Sequence, residues 1–251
     1  MNYRKENFVY VQFGCHGSFN VYDNDPIPYM SPNHYGENWK VFITEADPSK
    51  YEQINRRYGN FPNVFVYNLG IYSDDVPFYA LNFEPKVEEV HTLEKTVYQM
   101  FIGPHLVSEH NSLEEASNAR DQKLQQIKDV SWISQVSSYN VDSILSPNHL
   151  SFMPDLANYL SPSPGVKTVT PTKFLTDAGI NSIDILFLAQ SGCDYNVLSC
   201  FPFENVNVQH LAFKSLHVQQ MASLESSLQN KGFTREDFWL LDLSHQGYKK
   251  L

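Results

Sequence analysis

Short runs of β-branched and aromatic residues alternate with polar segments through the first part of the chain. The run 8–13 ends at Gly14, and a second run occupies 39–44. Apolar runs of this length are typical of strands buried in a parallel sheet. Residues 49–58, which repeat apolar side chains on one helical face, separate the second run from a third at 63–67. Strand, helix and strand in this order predict a βαβ unit.

This rhythm stops in the middle of the chain, after a further peripheral strand that we expect at 76–82. Residues 84–165 instead contain two polar amphipathic patterns, which predict helices at 87–101 and 112–130. The second helix begins with Ser112 and has a glutamate three residues later, which is a capping box. The Ser-, Asn- and Pro-rich stretch behind it predicts irregular structure. Because so long a segment is no ordinary connection, we interpret 84–165 as a largely helical insertion or lid.

The alternating rhythm returns at Val166. The sequence then predicts, in order, a helix at 172–178, a strand at 182–189, a helix at 194–201, a strand within 206–216, a helix at 219–231 and a strand at 238–243. We therefore expect a single α/β domain over residues 1–251. Its sheet should be doubly wound and mostly parallel, with the insertion interrupting it.

Charge and hydropathy exclude two classes of partner. The net charge is −10, from 28 acidic and 18 basic residues, so the protein should repel the phosphates of nucleic acid. No run of 18 apolar residues occurs, which argues against a membrane partner.

The metal-binding residue types also lack a useful pattern. Three cysteines stand at unrelated spacings without a CxxC pair, so they read as reduced thiols in a cytoplasmic protein. His105, His110 and His149 of the insertion have no metal-ligand spacing. We expect no metal site.

The predicted strand ends are where a ligand should bind, because open α/β sheets bind ligands beyond the carboxyl ends of their strands. Gly14-Cys15-His16-Gly17 follows the first strand, and its two glycines permit close approach of backbone to a ligand. The motif is not a complete GxGxxG, so a plain tight turn is an equal alternative.

Glu45 ends the second predicted strand. A carboxylate at this position accepts hydrogen bonds from the two hydroxyls of a ribose in nucleoside-binding sheets. The alternative is that Glu45 or Asp47 opposes the dipole of the helix that Pro48 opens. We favour the ribose for Glu45 and the helix cap for Asp47.

Two blocks of the chain resemble the FkbM-type methyltransferases, a family with the Rossmann-like class I methyltransferase fold. The first block is 41–54 with 63–74, where Glu45-Ala46-Asp47-Pro48 joins a strand to a helix. The second block is 172–175 with 183–198, which is similar to the family's segment "iDlLKiDvEGaE". The likeness covers about residues 8–83 and 166–243 and leaves the insertion outside.

The resemblance implies binding of S-adenosylmethionine and transfer of its methyl group to a hydroxyl of a sugar or small molecule. By matched position, Gly14 and Gly17 would line the methionine part of the cofactor. Glu45 would hold the ribose, and Asn68 or Ser73 would contact the adenine edge.

The second block departs from the family's pattern. Phe187, Ala189 and Ser191 stand where the family has Lys, Asp and Glu, and Lys214 stands where a Glu is usual. A base for the acceptor's proton contributes roughly 10²–10⁴-fold to such a reaction, so another group must supply it or the reaction is lost. Asp194 remains acidic and is one candidate.

The other candidates for the base are histidines, of which His16 is the first because it follows the first strand. His210 and His217 are further ones, and for each group a structural or surface role is the plainer alternative. Three functions follow: an O-methyltransferase with a remodelled acceptor site, a catalytically silent binding or scaffold protein, and another chemistry on the same sheet.

Overall fold

The computed structural model describes residues 7–14, 39–72, 77–81, 85–92, 95–102, 105–129, 137–139, 141–163, 166–190, 193–214, 220–236 and 245–251. The chain divides into two units, which we call the sheet unit (1–77 with 164–251) and the middle unit (78–163). Each unit is described by itself.

The described strands are β1 Val9–Phe13, β2 Lys40–Glu45, β3 Val64–Asn68, β4 Gly70–Ile71, β5 Tyr79–Leu81, β6 Pro85–His91, β7 Thr96–Ile102, β8 His105–His110, β9 Ser137–Ser138, β10 Leu160–Pro162, β11 Thr168–Val169, β12 Ser182–Leu188, β13 Asn207–Lys214, β14 Phe233–Arg235 and β15 His245–Lys250. The helices are α1 Pro48–Tyr58, α2 Leu113–Asp129, α3 Val141–Ile144, α4 Pro147–Phe152, α5 Pro171–Asp177, α6 Asp194–Ser199 and α7 Met221–Asn230. A 3₁₀ turn spans Leu156–Tyr159.

The sheet unit is built on one sheet of seven described strands, in the order β14-β15-β13-β12-β1-β2-β3. The pairs from β13 to β3 are all parallel, whereas β15 runs antiparallel to both of its neighbours. A mixed α/β fold with a large, mostly parallel sheet is therefore confirmed.

Apolar side chains cover both faces of this sheet, as the continuous apolar runs require. Ile54 and Tyr58 of α1 pack with Tyr10 on one face. Side chains of α5, α6 and α7 pack with Val11 and Phe13 on the other face. Successive side chains of β1 thus pack alternately into two hydrophobic cores, one on each face of the sheet.

Most elements predicted for the sheet unit are found within two residues of their expected bounds. The prediction for 49–58 corresponds to α1, that for 182–189 to β12, and that for 219–231 to α7. The strand predicted at 238–243 lies outside the described residues. The strand predicted at 76–82 exists as β5, but β5 belongs to a small sheet of the middle unit, in the order β10-β5-β9.

The helix predicted at 87–101 is wrong. These residues form an antiparallel hairpin, β6 with β7, and β8 adds a third strand. The turn between them is closed by Thr92, which donates its N–H to the carbonyl of Lys95 (2.9 Å) and accepts the N–H of Lys95 on its hydroxyl (3.0 Å). Three-residue spacings between apolar residues imitated a helical face, while the β-branched and aromatic content of β7 favoured a strand. The insertion is therefore not largely helical in its first part.

The second helix of the insertion agrees with its prediction. It is α2, and its first turn is closed as the capping box requires: the N–H of Glu115 donates to the Ser112 hydroxyl (3.2 Å). The Glu115 carboxylate accepts the N–H of Asn111 (3.2 Å) rather than that of Ser112. The stretch predicted to be irregular contains α3, α4, β9, β10 and the 3₁₀ turn.

Candidate functional site

The carboxyl ends of β1 and β12 mark the place where the sheet reverses its strand order. From β1 the chain continues to β2 and β3 on one side, and β12 and β13 lie on the other. Such a reversal opens a crevice between two strand ends, where ligands of open α/β sheets bind. Gly14 and Ala189 follow β1 and β12 directly, and Glu45 and Asn68 end the neighbouring strands β2 and β3.

Gly14 is the first residue beyond β1 and adopts a left-handed conformation, with φ of +75°. Its N–H donates to the carbonyl of Thr44 on β2 (3.0 Å), while Ala189 donates its N–H to the Phe13 carbonyl (2.9 Å). A Cβ at position 14 would lie 2.9 Å from the carbonyl oxygen of Ala189 and equally near the Gln190 side chain. Only glycine meets both the conformation and the contact, so the strand end needs it whether or not a ligand binds.

Two buried polar side chains lead up to Gly14 along one face of β1. The hydroxyl of Tyr10 donates to Gln12 Oε1 (2.6 Å), and Gln12 Nε2 donates to the Gly14 carbonyl (3.0 Å). Tyr10 and Gln12 are inaccessible to solvent. Sequence reasoning missed Gln12, although a glutamine inside an otherwise apolar strand was the signal that pointed to it.

Glu45 ends β2, as predicted, and is 6% exposed. Its Oε1 accepts the N–H of Asp47 (2.8 Å), which bends the chain toward α1. A carboxylate accepts about four hydrogen bonds, so this local bond and a ribose contact are compatible. The local bond alone already gives Glu45 a structural role.

Asp47 caps α1, which is the role that the sequence favoured for it. Its Oδ1 accepts the N–H of Lys50 at the first turn (3.3 Å), and the Lys50 ammonium lies 3.8 Å from its Oδ2. Pro48 occupies the first helical position, where no N–H is needed. The loop between β2 and α1 is thereby fixed from both ends.

Asn68 ends β3 directly beside Glu45, with which it is paired in the sheet. Its Nδ2 donates to the Glu45 carbonyl (3.1 Å). The amide oxygen is therefore the atom that Asn68 offers to another donor. The structure thus brings Gly14, Glu45 and Asn68 to neighbouring strand ends, whereas His16, Gly17 and Ser73 lie outside the described residues.

Asp194 begins α6, six residues beyond the end of β12, and is fully buried. A carboxylate in the first turn of a helix interacts favourably with the helix dipole. Its burial places the carboxylate against protein rather than at an open surface, so a structural role is the simpler interpretation of its position.

Two of the positions at which the family's charged residues are replaced lie in the core. Phe187 is 3% exposed and Ala189 is 7% exposed, and both pack with Tyr10 in the same apolar cluster. A lysine or aspartate would have to be buried there without the surroundings that stabilise a charge. Ser191 and the Lys214 side chain lie outside the described residues.

His210 lies within β13, and its Nδ1 lies 3.2 Å from an oxygen of Glu236. Burial lowers the pKa of His210, although Glu236 and, more weakly, Asp184 oppose this change; Lys249 lowers the pKa further. His210 therefore has a structural partner in the sheet.

One wider feature, a cavity, lies away from these strand ends. A shallow cavity of about 890 Å³ is lined by Phe203 and Glu204, which precede β13, and by residues of α7. Phe203 and Glu204 lead into the amino end of β13, whereas the crevice lies at the carboxyl ends of the strands. Among the described residues, no cluster of His, Cys, Asp and Glu that would hold a metal ion occurs.

None of the described helices is long and apolar enough to cross a bilayer. No protein-family model matches the chain, and no curated protein matches it either.

Proposed function

We propose that this protein is an S-adenosylmethionine-dependent O-methyltransferase that acts on a hydroxyl of a sugar or small molecule. The order of the main sheet carries the proposal. Numbered along the chain, the seven strands lie in the order 3-2-1-4-5-7-6, with the seventh antiparallel. The first five follow the Rossmann-type order, and an antiparallel seventh strand beside the fifth is a feature of the class I methyltransferase sheet. The described parts of the two sequence blocks that resemble the FkbM type include β2, β3 and β12 of this sheet.

The residues at the strand ends fit the nucleoside part of this cofactor. Glu45 offers a carboxylate at the end of β2, where a ribose is held in nucleoside-binding sheets. Gly14 supplies a strand end without a side chain, and Asn68 presents an amide oxygen beside Glu45. When bound, the cofactor supplies an activated methyl group. The contribution of the protein is then alignment of the acceptor and acceptance of its proton.

The base is proposed to be His16 or Asp194, since Phe187 and Ala189 carry no titratable group. Of these two, Asp194 is buried, so it would reach an acceptor only after a local rearrangement. In the sequence, His16 follows Gly14 by two residues.

A binding or scaffold protein without turnover is the second candidate. The burial of Phe187 and Ala189 in the apolar core favours it. At these two positions the family has charged side chains, whereas here apolar side chains pack in the core. Such a protein keeps the sheet and the cofactor pocket but transfers no methyl group.

Calorimetry with S-adenosylmethionine, with S-adenosylhomocysteine and with ATP as the control nucleotide tests the shared part of both functions. We expect both sulfur nucleosides to bind and to raise the melting temperature, and ATP to do neither. Absence of binding by the two sulfur nucleosides would refute both candidates.

Methyl transfer is then measured by mass spectrometry, with isotope-labelled cofactor and a panel of hydroxylated sugars and small molecules. Labelled product supports the methyltransferase. Its loss in His16→Ala or in Asp194→Asn identifies the base, whereas product that survives both changes excludes both residues. Cofactor binding without product on any acceptor favours the scaffold.

A further inference from the structure

The polar line along β1 is unusual for a strand in the middle of a sheet. Tyr10 and Gln12 lie on the same face of β1, since successive side chains of a strand alternate, and the carbonyl of Gly14 follows them at the end of the strand. β1 is flanked by β2 and β12, and the other side chains of its buried stretch are apolar. A glutamine amide in such surroundings is unfavourable unless its polar atoms are hydrogen-bonded.

Both polar ends of Gln12 have a defined partner. Its oxygen accepts the Tyr10 hydroxyl at 2.6 Å, and its nitrogen donates to the Gly14 carbonyl at 3.0 Å. Tyr10 therefore orients the amide, so that the N–H points to the strand end. A valine or leucine at position 12 would fill a sheet interior without this requirement.

The carbonyl that Gln12 holds belongs to the residue at which the chain leaves the sheet. Gly14 has φ of +75°, and its N–H is already bound to Thr44. Gln12 binds the carbonyl of Gly14 as well. The peptide groups on both sides of Gly14 are therefore each held by a hydrogen bond. The direction in which the backbone leaves β1 is thus set from inside the core.

We propose that Gln12, oriented by Tyr10, is a positioning residue that fixes the peptide at Gly14 and so shapes the end of β1 for a bound nucleoside cofactor. The ligand part of this inference rests on the proposed function. The part that concerns Gly14 rests only on the hydrogen bonds from Tyr10 to Gln12 and from Gln12 to Gly14. The effect on Gly14 and the effect on the ligand are tested separately.

The test compares three variants of the full chain. Gln12→Met keeps the length of the side chain and removes both hydrogen bonds. Tyr10→Phe removes the hydroxyl that donates to Gln12 and leaves the Gln12 amide in place, and it serves as the second variant if Gln12→Met does not fold. Val11→Ala is the control, because Val11 is equally buried on the same strand but packs on the opposite face.

The first measurement observes Gly14 directly. Phe13-Gly14 is the one Phe-Gly pair in the sequence, so carbonyl-labelled Phe with nitrogen-labelled Gly gives a single resonance for the Gly14 amide. After correction for global stability, we expect its hydrogen exchange to be about tenfold faster in Gln12→Met and faster to a smaller degree in Tyr10→Phe. Val11→Ala should leave the corrected rate unchanged. An unchanged corrected rate in Gln12→Met, or in Tyr10→Phe if that is the variant that folds, would overturn the inference for Gly14.

The second measurement is the affinity for S-adenosylmethionine by calorimetry. We expect Gln12→Met to weaken binding about tenfold and Val11→Ala to change it by less than about twofold. If Gln12→Met accelerates exchange at Gly14 but binds as tightly as the wild type, the positioning role for the ligand is overturned. If the wild type does not bind, the proposed function and the ligand part of this inference are both refuted, and the exchange measurement still decides the role at Gly14.

Discussion

Gly14 and Ala189 are so close that a Cβ on Gly14 would lie 2.9 Å from the Ala189 carbonyl oxygen. The carbonyl belongs to the backbone at the end of β12, so it has no flexible side-chain end that can turn aside. Two strands therefore meet at this point through their main chains, and the crevice between their ends depends on the absence of a side chain.

Gly14→Ala should lower the free energy of unfolding by about 2–4 kcal/mol, because it combines a left-handed conformation with a backbone clash. Denaturant unfolding followed by circular dichroism measures it. Gly179→Ala is the matched control, since Gly179 has φ of +66° but nothing within 4 Å of the new Cβ. There we expect the conformational cost alone, about 1 kcal/mol. Equal losses in the two variants would show that the Ala189 contact is unimportant.

Glu45 can be tested for its local and its ligand role separately. Glu45→Gln keeps an oxygen for the Asp47 N–H, so the free energy of unfolding should hardly change, whereas affinity for S-adenosylmethionine should fall about tenfold with the charge. Glu45→Ala removes both roles and should weaken binding by about 1.5–3 kcal/mol. Asp47→Asn, which preserves the cap, is the control and should bind normally. Unchanged calorimetric affinity in Glu45→Gln and Glu45→Ala would remove Glu45 from the site.

His210 should make the protein sensitive to mild acid. Because burial lowers its pKa in the folded state, the unfolded chain, with a pKa near 6.5, binds the proton more readily. The stability linked to His210 is thus complete above about pH 6.5 and decreases as the pH falls below that value. His210→Gln should flatten this part of the curve of unfolding free energy against pH.

The control for His210 is His91→Gln, because the His91 side chain is 73% exposed and lies beside Glu89 at the surface. We expect that variant to follow the wild-type slope between pH 7.5 and 5.5. If His210→Gln lost stability on acidification as steeply as the wild type, the buried imidazole would not be responsible.

The middle unit should be removable, because its two ends lie side by side. The N–H of Ser163 donates to the Phe78 carbonyl (2.8 Å), and β5 pairs with β10 just inside them. Joining Pro77 to Pro164 through a short Gly/Ser linker should leave a cooperatively folding sheet unit. Thermal unfolding by circular dichroism checks this. An insoluble product would show that residues 78–163 support the sheet.

The sequence predicted the elements whose pattern was unambiguous. β1, β2 and β12 are predominantly β-branched and aromatic or aliphatic, and α1 has a proline at its first position with an aspartate before it. The β6–β7 hairpin was not foreseen, because its apolar spacing matched a helix and its turn lacks the usual Asn-Gly or Asp-Gly signal. The local spacing of apolar residues does not distinguish a helix from a hairpin when the hairpin is stabilised by pairing between its strands.

The candidate site was foreseen only in part. A carboxylate at a strand end is visible in the sequence, so Glu45 was identified. The bond from Glu45 to Asp47 and the link from Gln12 to Gly14 depend on side-chain orientation, which no spacing reveals. For the same reason, the sequence did not show that Asp194 is buried.

The position of β15 has a consequence for how the protein is made. This strand follows the other six in the chain but lies inside the sheet, between β13 and β14, where Tyr248 stacks on Phe213 at 5.6 Å. During translation, the backbone N–H and C=O groups of β13 that pair with β15 therefore have no strand partner until β15 has left the ribosome. Such an edge is open to pairing with another nascent chain, so slow synthesis of β15 should favour aggregation.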